Sequence, residues 1–208
     1  MDRVARHSLP RAPGRSLSSS GKTREYLAFL GRICPEKRLD RAIEIATRSG
    51  RKLKIAAKVD AVDREYFSDH IKPLLEHPLV ELIGEIGEDE KEEFLGNALA
   101  LLFPIDWPEP FGLVTIEAMA CGTPVIAYRQ GAVPEIIEEG KTGFIVDNQE
   151  DAVAAVDRLP LIDRVLCRRE FERRFTANRM TADYIRIYEE LWSRSGRGKK
   201  VTHFSKAA

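Results

Sequence analysis

From residue 26 onward the chain alternates short, nearly continuous apolar runs with longer stretches in which apolar side chains return every three or four positions. The first pattern predicts buried strands and the second predicts amphipathic helices. Strands are expected over 26–30, 52–59, 79–83, 98–103, 124–128 and 143–146, with Gly31 and Gly84 closing the first and third. Helices are expected over 39–49, where Leu39, Ala42, Ile43 and Ala46 share a stripe, and over 63–75, 88–97, 134–139 and 148–159. Asp147 or Asn148 is the expected cap of the last of these. A further helix opens at Gly112, carries Leu113, Ile116 and Ala120 on one stripe with Val114 and Met119 beside it, and stops at Gly122-Thr123-Pro124. Pro108 and Pro110 exclude an earlier start. The rest of the chain, to about residue 193, reads as helical.

Six strands alternating with helices predict an α/β domain, a single Rossmann-like, doubly wound parallel sheet with C-terminal helices. Such sheets bind ligands beyond the carboxyl ends of their strands, where strand order reverses. In the order 3-2-1-4-5-6 that point lies between strands one and four. The loop Gly31–Lys37 and the loop leading into Glu109 therefore converge on one crevice.

Composition sets the limits of this picture. Residues 1–24 are rich in Ser, Arg, Pro and Gly and lack an apolar pattern, which predicts a disordered or linker tail. Their Arg and Ser content also matches organellar transit peptides. One domain is expected over 25–193 and a flexible tail over 194–208. Of the 208 residues 43% are hydrophobic and 32% charged, an ordinary globular balance. Lys plus Arg equals Asp plus Glu at 33 each, so net charge gives no case for nucleic acid. Cys34, Cys121 and Cys167 have no metal-like spacing and are expected as free thiols in a reducing, cytoplasmic compartment. The longest apolar run is too short to span a bilayer. His7, His70, His77 and His203 form no recognisable constellation.

The candidate chemistry lies in two stretches. Glu109 and Glu117 stand eight positions apart, the first in a loop before a helix and the second about two turns inside it. The free N–H groups at that helix start suit an anion. After strand one, Gly31 permits a tight turn, and Arg32 and Lys37 bring two fixed positive charges suited to phosphate oxygens. No Walker lysine motif or G-x-G-x-x-G occurs, which argues against a P-loop kinase or a nicotinamide enzyme. Paired carboxylates also belong to glycosidases, and the spacing alone leaves acid–base work open. Taken singly, each of these residues also reads as a solvated loop or helix-surface group.

Several motifs in one order make a resemblance specific. Gly31-Arg32 with Lys37, then Glu109 and Glu117 around Phe111-Gly112-Leu113, then the run to Pro124-Val125-Ile126-Ala127, resemble retaining nucleotide-sugar glycosyltransferases of the GT-B fold, the glycosyl transferases group 1. Gly131-Ala132-Val133-Pro134-Glu135 and Gly140-Lys141-Thr142-Gly143-Phe144 continue the pattern, as do Arg174-Phe175, Arg179-Met180, Tyr184 and Tyr188. The resemblance covers about 26–192 and matches the C-terminal, donor-binding half. It implies a nucleotide-diphosphate sugar as donor, with UDP-hexose as the family-level choice, and retaining transfer to an acceptor the sequence leaves open. It assigns the diphosphate and leaving group to Arg32 and Lys37, the ribose to Glu117 and the transferred sugar to Glu109. Backbone groups of Phe111, Gly112 and Leu113 would line phosphate and sugar, and Gly84-Glu85-Ile86 would pack on the base. It implies no metal and no cofactor, the two cations standing in electrostatically.

Two departures stand out. Gln130-Gly131 occupies a place where the family often has paired glycines, and Ala57-Lys58-Val59 lacks a glycine usual after strand two. The acceptor-binding half has no counterpart in these residues. A separate acceptor-domain polypeptide or a homo-oligomer is the expected partner, and a non-catalytic nucleotide-sugar-binding module or truncated paralogue is the alternative reading.

Overall fold

A computed structural model describes residues 24–194. Six parallel strands form one sheet in the order β3-β2-β1-β4-β5-β6. They are β1 (Tyr26–Arg32), β2 (Lys52–Lys58), β3 (Val80–Gly84), β4 (Ala100–Phe103), β5 (Val125–Tyr128) and β6 (Gly143–Val146). This is the expected doubly wound order, with the reversal between β1 and β4, where Leu27 pairs with Ala100 and Ala28 with Leu101.

Side chains alternate along each central strand and so feed two cores. Leu27, Phe29, Leu102 and Ile126 join one core, with α1 (Leu39–Arg48) and α6 (Gln149–Arg158) packed on that face. Ala28, Leu101, Phe103 and Ala127 join the other, covered by α3 (Glu88–Gly96) and α4 (Leu113–Ala120). Both faces of β4 and β5 are buried, which explains why those segments read as unbroken apolar runs. Each fully buried Leu, Ile or Phe contributes on the order of 1.5–3 kcal/mol. Asn148 caps α6, its side chain accepting from Asp151 N at 2.9 Å.

Four expectations need correction. Gly31 does not turn the chain: β1 continues through Gly31 and Arg32, which pair with Ala57 and Lys58. The helix expected over 63–75 is broken into α2 (Arg64–Tyr66), a π-helical turn (Phe67–Ile71) and a 3-10 turn (Lys72–Glu76). Pro73 has no N–H to donate into a regular α-helical ladder, and the wider and tighter turns accommodate it. Glu117 is the fifth residue of α4, little more than one turn from its start. Leu113, expected on the buried stripe, is 57% exposed, while Thr115, Ala118 and Met119 are buried. α4 packs over the interior strands β4 and β5 and carries apolar residues on nearly every side, so periodicity could not select its inner face.

After the short α5 (Val133–Ile136), the C-terminal region is helical as expected, in α7 (Arg164–Arg174) and α8 (Ala177–Arg194). Pro160 keeps the chain from continuing smoothly out of α6. On α8, Met180, Tyr184, Ile187, Tyr188 and Leu191 are each 45–64% exposed, an apolar stripe with no described partner surface. The tails expected over 1–24 and 194–208 lie outside the described residues except for Arg24 and Arg194. His7 and His203 lie outside them as well. His70 and His77 are exposed, and the latter's Nδ1 accepts the Leu79 N–H at 3.2 Å.

Candidate functional site: a two-lobed crevice at the strand reversal

The carboxyl ends of β1 and β4 open into two adjoining cavities that share Leu30, Gly31, Leu113 and Val114. The larger, about 580 Å³, is walled by Arg32, Lys58, Asp60, Glu88, Lys91 and Glu117, with Ile86 and Ala57 supplying apolar surface. The smaller, about 350 Å³, holds Lys37, Glu109, Phe111 and Gly112 above Phe103. The two glutamates thus occupy separate lobes, and so do the two expected cations.

Each charged group is held by a partner. The Lys37 ammonium bonds to Glu109 Oε2 and lies 5.4 Å from the Phe103 ring centroid. The Trp107 indole N–H donates to the same Oε2 at 3.0 Å. Burial pushes the Glu109 carboxyl pKa up, but Lys37, Trp107 and the Gly112 N–H outweigh it and hold it below the ordinary carboxylate value. In the larger lobe Lys91 donates to Glu117 Oε1 at 3.2 Å and to Glu88 Oε1 at 2.7 Å. Arg32 reaches Asp60 at 3.4 Å and Asp63 at 3.7 Å. Asp63 is 8% exposed, and its Oδ2 has no hydrogen-bond partner. A buried carboxylate oxygen is costly without compensation, and the Arg32 charge is what stands closest to supplying it.

The local backbone explains how these side chains arrive. Gly112 enters α4 at φ 75°, a left-handed turn in which a Cβ would lie 3.3–3.4 Å from the Phe103 ring. That turn exposes the N–H groups at the start of α4 toward the crevice. The Glu109 segment is pinned from behind: Ala132 N donates to Glu109 O at 2.9 Å, and Gly131 packs directly on it. α7 in turn holds α5, with Arg174 donating to Ile136 O at 3.2 Å and to Glu135 O. Of the pair Gln130-Gly131, the glycine that the sequence retains is the one packed here, and its lack of a side chain is what lets the two segments meet.

Most of the residues predicted from sequence meet here: Gly31, Arg32, Ile86 and Glu117 around the larger lobe, Lys37, Glu109, Phe111 and Gly112 around the smaller, and Leu113 between them. Gly84 ends β3 at φ 87° and does not line either cavity, whereas Glu85 and Ile86 after it do. Sequence reasoning missed Lys91, Asp60, Asp63 and Trp107. Lys91 had a readable signal, its three-residue spacing from Glu88 on one helix face. The aspartates had none, since their role depends on β2 ending beside Arg32. Among the described residues, no group of three or more His, Cys, Asp or Glu stands together as metal ligands would, and no helix is long and apolar enough to cross a membrane.

Known proteins resemble this chain in sequence and in fold. A D-inositol 3-phosphate glycosyltransferase of Saccharomonospora viridis is 35% identical over 136 residues, 56% of this chain and 32% of that protein. The N-acetyl-alpha-D-glucosaminyl L-malate synthase of Bacillus anthracis is 30% identical over 138 residues, 58% of this chain and 36% of that protein. AviGT4, a glycosyltransferase involved in avilamycin A biosynthesis, superposes with a TM-score of 0.70 at 27% identity, covering 86% of this chain and 55% of AviGT4. Anabaena Alr3699/HepE, solved in complex with UDP, shares the fold with a TM-score of 0.69 at 19% identity, over 82% of this chain and 49% of that one. The chain therefore spans about a third of the length of the curated relatives it matches. The family model for glycosyl transferases group 1 matches residues 15–179, and the chain belongs to that family.

Proposed function

We infer that this chain is the donor-binding part of a glycosyltransferase and that its crevice takes a nucleotide-diphosphate sugar. The observation that carries this reading is the two-lobed crevice, with one carboxylate and one cation in each lobe and helix N–H groups where the lobes join. A ligand with a nucleoside at one end, a sugar at the other and a diphosphate between matches that division. The relatives named as glycosyltransferases support the reaction class, and the UDP complex of a protein with this fold motivates UDP as the first ligand to try.

In this reading Glu117 holds the ribose hydroxyls through Oε2, its Oε1 being engaged by Lys91. Ile86, with Gly84 and Glu85 shaping its loop, packs against the base. Arg32 and Lys37 approach the diphosphate from the two lobes. Lysine carries three donors, so Lys37 can keep Glu109 while reaching a phosphate oxygen. Glu109 takes hydroxyls of the transferred sugar, and Phe111, Gly112 and Leu113 present backbone to the phosphate and sugar. As the glycosidic bond breaks, charge accumulates on the departing diphosphate, and two fixed cations stabilise it more in the transition state than in the bound donor. Transfer with retention, UDP-hexose as donor and independence of metal are the specific forms of this proposal. Three free cysteines support a cytoplasmic location.

The exposed stripe on α8 supports a partner, either a separate acceptor-binding polypeptide or a second copy of this chain. Calorimetric titration with UDP and UDP-glucose tests the proposal. Binding by the wild type and loss of it in Glu117→Ala is the expected result, and absence of binding to any nucleoside diphosphate or its sugar ester rejects it. A second reading is a non-catalytic nucleotide-sugar-binding module. Binding without donor turnover in the presence of any partner favours it.

A further inference from the structure

Among the described residues, Arg38 is the only non-glycine with positive φ, at φ 51° and ψ 53°. It follows Lys37 directly and is the N-cap of α1. A left-handed backbone costs a side-chain-bearing residue roughly 1–2 kcal/mol, which is why glycine is the usual occupant. Strain of this kind persists only where its surroundings hold it. Here the surroundings are specific. Arg38 Nη1 donates to Asp106 Oδ2 at 2.8 Å, and Nη2 and Nε hold Asp40 at 2.8 and 3.0 Å. Arg41 Nη2 reaches the same Asp106 Oδ2 at 3.1 Å, and Asp106 N donates to Glu36 O at 2.9 Å. Arg41 is itself steadied, lying 4.9 Å from the Tyr128 ring centroid with its carbonyl accepting from Gln149.

The three bonds made by Asp106, to Arg38, Arg41 and Glu36, join residues 36–41, after β1, to residue 106, after β4. Lys37 lies within the first segment and Glu109 three residues beyond Asp106. Without the stitch, the Lys37 loop would be fastened to the β4 side mainly through its own ion pair with Glu109 and the Arg41 contact to Pro104 O at 3.4 Å.

We propose that Arg38 and Asp106 form a latch that fixes the Lys37 loop against the Glu109 loop, making both of them positioning residues for the phosphate-binding lysine. Arginine is kept at a glycine-favouring position because its side chain closes the latch. The inference rests on the proposed nucleotide-sugar site for its binding readout, but its geometry stands apart from that site's occupant.

The test compares UDP with uridine, which lacks the phosphates, by calorimetry on the full chain. The variants are Asp106→Ala, Arg38→Gly, Lys37→Ala and the double variant Lys37→Ala with Asp106→Ala. Arg38→Gly relieves the backbone strain while removing the latch, so weaker binding in it cannot be laid to strain. The latch variants should each weaken UDP about tenfold, the scale of coupling within one network, and leave uridine unchanged. The double variant should bind no more weakly than Lys37→Ala alone. Unchanged UDP affinity in Asp106→Ala, or full additivity in the double variant, overturns the proposal. A second readout needs no nucleotide. Trp107 donates to Glu109, so in a Trp192→Phe background its emission reports the Glu109 loop. A shift in Asp106→Ala and Arg38→Gly upholds the latch, and identical spectra overturn it, even if no nucleotide binds and the donor-site reading itself has failed.

Discussion

Replacing Gly131 with alanine should release the Glu109 loop. Gly131 has φ +50°, and an added Cβ would lie 2.5 Å from Glu109 N and 2.7 Å from Pro108 C, closer still to Glu109 O. These neighbours are backbone atoms with no rotamer to yield. The left-handed conformation costs alanine about 1–2 kcal/mol, and overpacking against backbone a further 1–3 kcal/mol or so. Moving the segments apart also breaks the Ala132 N–Glu109 O bond of 2.9 Å, worth about 1 kcal/mol net. The native state thus faces roughly 3–6 kcal/mol, and part of it is relieved if the loop moves away. Urea unfolding should show a lowered midpoint with an unchanged slope. Calorimetry should show that whatever affinity UDP-glucose gains over UDP is lost, since Glu109 serves the sugar lobe. A Gly131→Ala variant with the wild-type midpoint and the wild-type preference for UDP-glucose would refute the reasoning.

Other consequences follow from buried charge. The Arg164 guanidinium donates to Ala98 O at 2.9 Å, Gly96 O at 3.1 Å and Thr123 Oγ1 at 2.6 Å, and burial lowers its pKa to about 10. Arg164→Met should cost about 2–4 kcal/mol in denaturant unfolding because those acceptors lose a charged donor; a loss below 1 kcal/mol or so would contradict this. Glu109 has a depressed folded pKa, so the stability from its pairing with Lys37 is present above its ordinary value of 4.5 and is lost as pH falls through the folded value. Stability of Glu109→Gln should accordingly converge on that of wild type toward low pH, and a constant gap from pH 7 down to acid unfolding would contradict the assignment. Burial raises the Cys121 and Cys167 thiols to about 11. They should remain protonated at pH 8 and react with a thiol reagent far more slowly than in urea, and equal rates would rule out this packing.

The sheet was legible because its central strands are buried on both faces and its turns are marked by glycine. Residues 100–103 and 125–128 admit no other environment; the alternation of elements implied a parallel doubly wound sheet, and the observed strand order is the common one for that class. Helix faces were less legible. Leu113 looked like core and lines the crevice, because a helix surrounded by apolar groups carries no periodic signal. The pairing of Glu109 with Lys37 crosses 72 residues, and the grip of Asp60 and Asp63 on Arg32 depends on where β2 ends. Such contacts come from sheet register and leave no local pattern. Arg38 was invisible for another reason: sequence rules place glycine at a left-handed turn, and here an arginine is held there by its own side chain.

The central claim is that one crevice reads both ends of a nucleotide-diphosphate sugar. Calorimetry of UDP, UDP-glucose and uridine against wild type, Glu117→Ala and Lys37→Ala tests it most directly. The expected result is that Glu117→Ala weakens all three ligands, whereas Lys37→Ala weakens only the two that carry phosphate. Equal losses for uridine and UDP in Lys37→Ala, or unaltered uridine binding in Glu117→Ala, would contradict it.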